Sequence, residues 1–189
     1  MKLCMIGTGY VGLVSGVCFS DLGNDVVCVD KDKEKINLLN NGIIPIYEPG
    51  LEEILKRNFK ANRLTFTTDL KKAVSNSDII FICVGTPTKK KSNSADLKYV
   101  FSVANELKKI ISKYKIELLI VGPEEPLVNG ITDFLEKEKI KIFGPNKLCS
   151  RLEGSKIFTK KICEKYNIPT AKFGIFSNLS DSIFFLNKN

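Results

Sequence analysis

Residues 1–30 read MKLCMIGTGYVGLVSGVCFSDLGNDVVCVD, and the order of elements they imply decides the fold. KLCMI (2–6) is an apolar run of strand length that enters Gly7-Thr8-Gly9-Tyr10-Val11-Gly12 directly. A helical pattern over about 10–22 stops at Gly23-Asn24, and DVVCVD (25–30) is a second strand. Strand, glycine turn, helix and strand in so short a span make a βαβ unit, whose two strands run parallel.

The same alternation continues outward from this unit. The sequence predicts a charged helix over 32–41, a Pro/Gly-broken loop and a short helix from about Gly50. A weak strand follows at 64–66, then a helix near 69–75 and an emphatic central strand at 78–84 (DIIFICV). A lysine-rich loop leads to a long amphipathic helix, 96–113, with Asp96 as its N-cap. Residues 117–121 (ELLIV) are read as a strand, 126–138 as a helix opened by Pro126, and 140–143 (IKIF) as another strand. Helices over about 147–152 and 155–166, a strand near 171–176 and a helix near 179–187 complete the chain. The fold class is therefore α/β: a Rossmann-like doubly wound parallel sheet of six strands with a C-terminal helical fragment. The expected strand order is 3-2-1-4-5-6 with right-handed crossovers.

Composition removes several function classes. The chain has 189 residues, 43% hydrophobic and 26% charged, so it can bury a substantial core. It contains no histidine, which excludes histidine bases, Ser-His-Asp and Cys-His systems and histidine metal sites. Six cysteines (Cys4, Cys18, Cys28, Cys83, Cys149, Cys163) show no C-x-x-C spacing and lie in apolar stretches. They are read as buried free thiols of a reducing cytoplasm, with no metal site. No apolar run is long enough to span a membrane, and the N-terminus enters a strand with no signal peptide ahead of it. The net charge of +8 invites a nucleic-acid reading, but the excess is dispersed lysine, with Arg57, Arg63 and Arg151 the arginines. The Lys89-Lys90-Lys91 cluster reads as a solvated loop, and neither a nucleic acid nor a membrane is expected as partner.

The glycine turn carries the chemistry. In G-x-G-x-x-G between strand and helix, Gly7 permits the tight turn and Gly9 admits a pyrophosphate to the backbone. Gly12 lets the helix pack closely on the sheet. The anion then meets unpaired amides at the positive helix end. Asp30 ends the second strand, 18 residues past Gly12, where a carboxylate takes ribose hydroxyls and repels a 2′-phosphate. This favours NAD over NADP; the alternative is a structural turn with Asp30 as a helix cap. Val84-Gly85-Thr86-Pro87 lies where the strand order reverses, which makes it either an ordinary strand exit or the nicotinamide end of the same crevice.

Residues 1 to about 115 resemble the NAD-binding domain of the UDP-glucose 6-dehydrogenase family (UDP-glucose/GDP-mannose dehydrogenases). The resemblance runs through MKLCMIGTGYVGLVSGVCFSDLGNDVVCVDKDKEKI, PIYEPGLEEIL, FTTDLKKAVSNSDIIFICVGTP and SADLKYV. It implies NAD as cofactor, with roles for Val11, Asp30, Lys35 and Thr86 beside Gly7, Gly9, Tyr10, Gly12, Val84 and Gly85. The intact family takes UDP-glucose to UDP-glucuronate by two hydride transfers through a cysteine-bound intermediate. Its nucleophile lies in a G-F-G-G-x-C-x-P-K-D segment of a later domain. These 189 residues contain no such segment, nor the K-S-T-V-P-V-G strand expected after helix 96–113, so no catalytic residue is assigned.

From about Ile116 the sequence instead resembles phosphoribosylamine–glycine ligase, an enzyme of purine biosynthesis. The resemblance rests on VGPEEPLVNGITDFL and KIFGPNKLCSRLEGSKIFTKKICEKYNIPTAKFGIF. The chain thus reads as a chimera joined near Tyr114-Lys115-Ile116: 1–115 a dinucleotide domain, 116–150 a βα segment completing the sheet, and 151–189 the truncated opening of an ATP-grasp region. Glu124 and Glu125 either complement a helix dipole or recognise sugar hydroxyls or an amine. Gly154-Ser155-Lys156 caps the next helix, and Lys156 is either solvated or a phosphate contact. The leading expectation is an NAD-binding oxidoreductase domain not competent alone. A non-catalytic nucleotide-binding module and a purine-ligase fragment are the alternatives.

Overall fold

The computed structural model describes residues 1–85, 102, 104–106, 108–109, 113–114, 116–137 and 139–188. The elements are β1 (Lys2–Ile6), α1 (Tyr10–Asp21), β2 (Asp25–Val29), α2 (Lys33–Asn40), α3 (Leu51–Lys60), β3 (Leu64–Thr67), α4 (Leu70–Ser75) and β4 (Ile79–Ile82). After them come β5 (Leu118–Val121), α5 (Glu124–Val128), α6 (Ile131–Glu136), β6 (Ile142–Phe143), α7 (Lys147–Gly154), α8 (Lys156–Lys165) and α9 (Leu179–Lys188). The six strands form one sheet in the order β3-β2-β1-β4-β5-β6, parallel throughout, as the βα rhythm predicts.

Strand periodicity explains why both faces are apolar. On β1, Cys4 and Ile6 join a core with Ile80, Ile82, Leu119, Val121 and Leu127. Leu3 and Met5 point the other way, into a core with Leu13, Val17, Val26, Cys28 and Leu55. Every second residue therefore finds apolar cover on its own side, and helices on both faces supply it. Helix α1 reaches the sheet closely because a Cβ on Gly16 would stand 2.7 Å from the Cys28 sulfur.

Helix starts follow local hydrogen-bond chemistry. Asp32 caps α2 by accepting the Lys35 amide, Asp69 caps α4 through Lys72, and Asn146 caps α7 through Cys149. Ser155 caps α8 by accepting the Phe158 amide, as the Gly-Ser-Lys reading expects.

Several expectations are corrected. The helix read over 126–138 is two helices, α5 and α6, because Gly130 adopts a left-handed φ of +89° between them; Pro126 lies within α5 rather than opening it. Residues 171–176 form no strand. They have no neighbour in the sheet, and the Lys160 ammonium instead donates to Thr170 Oγ1 and the Ala171 carbonyl. Cys4, Cys28 and Cys83 are buried, but Cys18 and Cys149 are exposed and Cys163 is half-buried; all are free. Asp96, the Lys89–Lys91 cluster and most of the helix read over 96–113 fall outside the described residues, although 102, 104–106, 108 and 109 are helical. Among the described residues no helix is long and apolar enough to cross a membrane.

Candidate dinucleotide-binding site

The strands of a parallel sheet deliver their carboxyl ends to one edge, so the turns after β1, β2, β3 and β4 meet there. Gly7 leaves β1 with φ +103° while its amide donates to the Val29 carbonyl at 2.7 Å. A Cβ on Gly7 would lie 2.7 Å from the Cys83 carbonyl oxygen, and one on Gly12 would lie 1.9 Å from the Gly7 carbonyl oxygen. Gly9, the N-cap of α1, faces open space, and α1 has neither a side-chain cap nor an acid in its first turn. Gly7 thus makes the turn, Gly9 leaves open space and Gly12 lets the helix pack closely. The first turn of a helix has backbone donors without intrahelical partners, and here no side chain caps them.

Asp30 follows β2 and lies beneath this turn. Its Oδ2 accepts the Thr8 amide at 2.9 Å and the Thr8 hydroxyl at 2.7 Å, while the Lys35 ammonium stands at 3.4 Å. Its Oδ1 accepts the Asp32 amide at 3.1 Å. Burial alone would raise the Asp30 carboxyl, but the bonds from Thr8 and Asp32 and the Lys35 charge outweigh it and hold the group below the usual carboxylate range. Asp32 is the cap of α2, so the reading of Asp30 as the helix cap is set aside.

A cleft of roughly 720 Å³ runs along the sheet edge from this carboxylate to the end of β4. Gly7, Gly9, Asp30, Lys35, Val84 and Gly85 all line it, so most of the expected cofactor positions converge. Gly12 is buried behind the turn. Tyr10 and Val11 are not among the lining residues. Tyr10 donates its hydroxyl to the Tyr47 carbonyl at 2.9 Å, and Val11 faces Gly122 at the end of β5. Thr86 lies outside the described residues. Glu124 and Glu125 sit in the first turn of α5 and Lys156 is exposed at the start of α8; none of the three reaches the cleft.

Sequence reasoning missed Thr8, Lys31, Thr68, Leu70, Ser102 and Glu106. The last five line the cleft, and Thr8 is fully buried against Asp30. Position signals most of them: Thr68 and Leu70 follow β3, so they belong to the same carboxyl edge. Thr8 is a hydroxyl between two glycines, 22 residues from Asp30 in the chain, and only the fold joins the two.

The cleft fits a dinucleotide. A bare Gly9 leaves room of the size a diphosphate needs before the α1 helix start, and a carboxylate held by Thr8 stands in the same cleft. Among the described residues no three acidic or cysteine side chains gather to hold a metal.

Comparison with known proteins gives the same picture. The model of the UDP-glucose/GDP-mannose dehydrogenase family, NAD binding domain, matches residues 1–122, which carries it through β5 and past the junction expected near 114–116. UDP-glucose 6-dehydrogenase of Rhizobium meliloti is 58% identical over 107 residues, 57% of this chain and 24% of that protein. GDP-mannose 6-dehydrogenase of Pseudomonas aeruginosa is 48% identical over 107 residues, with the same two shares. The solved GDP-mannose dehydrogenase of Pseudomonas aeruginosa, a ternary complex, superposes with a TM-score of 0.66 at 30% identity, covering 87% of this chain and 44% of that one. The chain spans about a quarter of the length of these curated relatives. With its sheet, its glycine turn and its matched residues in agreement, the chain belongs to the UDP-glucose/GDP-mannose dehydrogenase family, and residues 1–122 are its NAD-binding domain.

Proposed function

We propose that the cleft binds NAD in preference to NADP, as the dinucleotide module of an oxidoreductase acting on a nucleotide sugar. The observation that carries this reading is the Asp30 carboxylate, ionised and held at the end of β2 beside the open face of Gly9. In this reading Asp30 accepts the adenosine ribose hydroxyls, and Lys35 adds a cation beside them. The first-turn amides of α1 receive the pyrophosphate, with Val11 at that turn. Val84 and Gly85 leave room at the far end, where the family resemblance also gives Thr86 a role. Bound there, NAD would supply a hydride acceptor; the chain's own residues orient it and discriminate against a 2′-phosphate. The relatives' names, UDP-glucose and GDP-mannose 6-dehydrogenase, support a nucleotide sugar such as UDP-glucose as the substrate of the whole protein. Calorimetric titration of the purified chain with NAD and with NADP tests the reading. Tighter binding of NAD supports it, and equal affinities or no binding overturn it.

A second reading concerns residues 116–189, whose G-P-E-E-P-L and L-E-G-S-K-I-F-T-K segments resemble phosphoribosylamine–glycine ligase. Its support beyond sequence is an exposed apolar surface. Helices α8 and α9 contain no buried residue, and Phe184 and Leu186 are 70% and 73% exposed. Large apolar side chains so uncovered are what the opening of a further domain presents. Titration with ATP tests it, and submicromolar binding by Lys156-bearing chain, lost in Lys156→Ala, would favour a working ligase site over a mere fragment.

A further inference from the structure

We propose that Thr8 is the positioning residue that sets the dinucleotide preference of this cleft, by fixing which oxygen of Asp30 is offered to a ribose. The proposal rests on the NAD reading above. Three donors converge on Asp30 Oδ2: the Thr8 amide at 2.9 Å, the Thr8 hydroxyl at 2.7 Å and the Lys35 ammonium at 3.4 Å. A carboxylate oxygen has two lone pairs, so Oδ2 is saturated and the remaining acceptor capacity lies on Oδ1. Oδ1 takes the Asp32 amide at 3.1 Å and keeps room for a hydroxyl donor.

Thr8 is suited to this work by its place in the chain. The left-handed Gly7 turns the next residue back under the loop, so amide and hydroxyl reach the same oxygen. Thr8 is fully buried, so its hydroxyl donates without competition from water. It also stands between the two glycines of the phosphate turn. The ribose acceptor is therefore bonded directly to the loop that faces the pyrophosphate, and the spacing between the two subsites is held by one residue. A carboxylate freed from this clamp can turn about its own bonds or pair more closely with Lys35. Either movement withdraws the acceptor from a ribose and relieves the repulsion that a 2′-phosphate would meet.

The test is calorimetric titration of wild type, Thr8→Val, Thr8→Ser, Asp30→Asn and the Thr8→Val/Asp30→Asn double variant with NAD and NADP. Valine keeps the volume and the amide but removes the hydroxyl. NAD affinity is expected to fall about tenfold in Thr8→Val while NADP holds or gains, the scale of one hydrogen bond to a charged group. Serine restores the hydroxyl and is expected to return the NAD/NADP ratio to within about twofold of wild type. In the Asp30→Asn background the valine substitution leaves the ratio unchanged, because the two residues act as one unit. Equal weakening of both dinucleotides by Thr8→Val, or a serine variant that behaves like valine, overturns the assignment and leaves the NAD reading standing. A wild type that binds neither dinucleotide overturns both. Should Thr8→Val not fold, Thr8→Ala, which sets no methyl against Oδ2, gives the same readout.

Discussion

Gly12 stands so close behind Gly7 that a methyl group at position 12 would overlap the Gly7 carbonyl oxygen, at 1.9 Å. Two glycines in contact across a turn fix the distance between the end of β1 and the start of α1. A methyl group on the third glycine of the motif, Gly9, would meet nothing within 4 Å.

The first prediction separates these roles. Gly12→Ala forces α1 off the turn and should destabilise the fold by about 1–3 kcal/mol, the range of core overpacking. Gly9→Ala should leave stability within about 0.5 kcal/mol, because the residue faces open space and its φ of −76° suits alanine. Gly9→Val should nevertheless abolish dinucleotide binding by filling the approach. Urea unfolding and dinucleotide titration of the variants check this; a Gly12→Ala protein as stable as wild type would contradict it.

Asp30→Ser is expected to shrink the preference for NAD. A tenfold ratio corresponds to only about 1.4 kcal/mol. Repulsion between a carboxylate and a 2′-phosphate a few ångströms apart is on the order of several kcal/mol before screening. NAD should weaken and NADP should gain, and calorimetry on both reads the ratio directly. No change in the ratio would make the fingerprint structural only.

The same carboxylate gives stability a pH dependence of defined sign. Its native value is held below the unfolded value of about 3.9 by Thr8, Asp32 and Lys35. Its contribution is therefore complete above that unfolded value and lost as pH falls through the depressed native one. Wild type should exceed Asp30→Asn in stability at pH 7, and the gap should close in acid. Denaturant melts at pH 7 and below pH 3 measure it; a gap that widens in acid would reverse the assignment.

Thiol reactivity should divide the six cysteines. Burial pushes the Cys4 and Cys83 thiols up to about 12, and burial with neighbouring thiols pushes Cys28 up as well. Cys18 and Cys149 are exposed. With a disulfide reagent at pH 8, Cys18 and Cys149 should react first and Cys163 more slowly. Cys4, Cys28 and Cys83 should react only on unfolding. Rapid modification of Cys83 in the native protein would show the cleft opening further than its burial allows.

Hydrogen exchange should fall into two classes. Amides of β1, β2, β4 and β5 lie in a sheet with cores on both sides. Those of α8 and α9 lie in helices without a buried residue. The helices should exchange at least tenfold faster than the strands. Equal protection would mean that their apolar side chains are covered.

The sheet was legible because its signals are local. Most strands are apolar runs bounded by turn residues, and they alternate with helical patterns, so parallel pairing in the order 3-2-1-4-5-6 follows from chirality. Asp30 and the glycines were legible for the same reason: their spacing is fixed by one βαβ unit. What escaped depends on tertiary neighbours. Thr8 stands out only in the fold, where β2 brings Asp30 within 2.7 Å of its hydroxyl. Residues 171–176 have a strand-like pattern but no strand to pair with. Gly130 breaks a helix that apolar periodicity alone carries through it. Tyr10 belongs to the motif, yet a single bond to the Tyr47 carbonyl directs it to another loop.

The pairing of β4 with β5 bears on anyone who would shorten this protein. Ile79–Ile82 is hydrogen-bonded along its length to Leu118–Val121, although the two segments are separated by a long crossover. Cutting after residue 115, where the sequence resemblance alone would put the border, removes β5 and leaves the outer row of amides and carbonyls of β4 bare. It also strips Leu119 and Val121 from the core beside Ile80 and Ile82. A flat, apolar, unprotected edge of that kind recruits other chains and aggregates. The smallest soluble piece must therefore carry β5 and its following helices α5 and α6, which add Leu127, Ile131 and Leu135 to the same core.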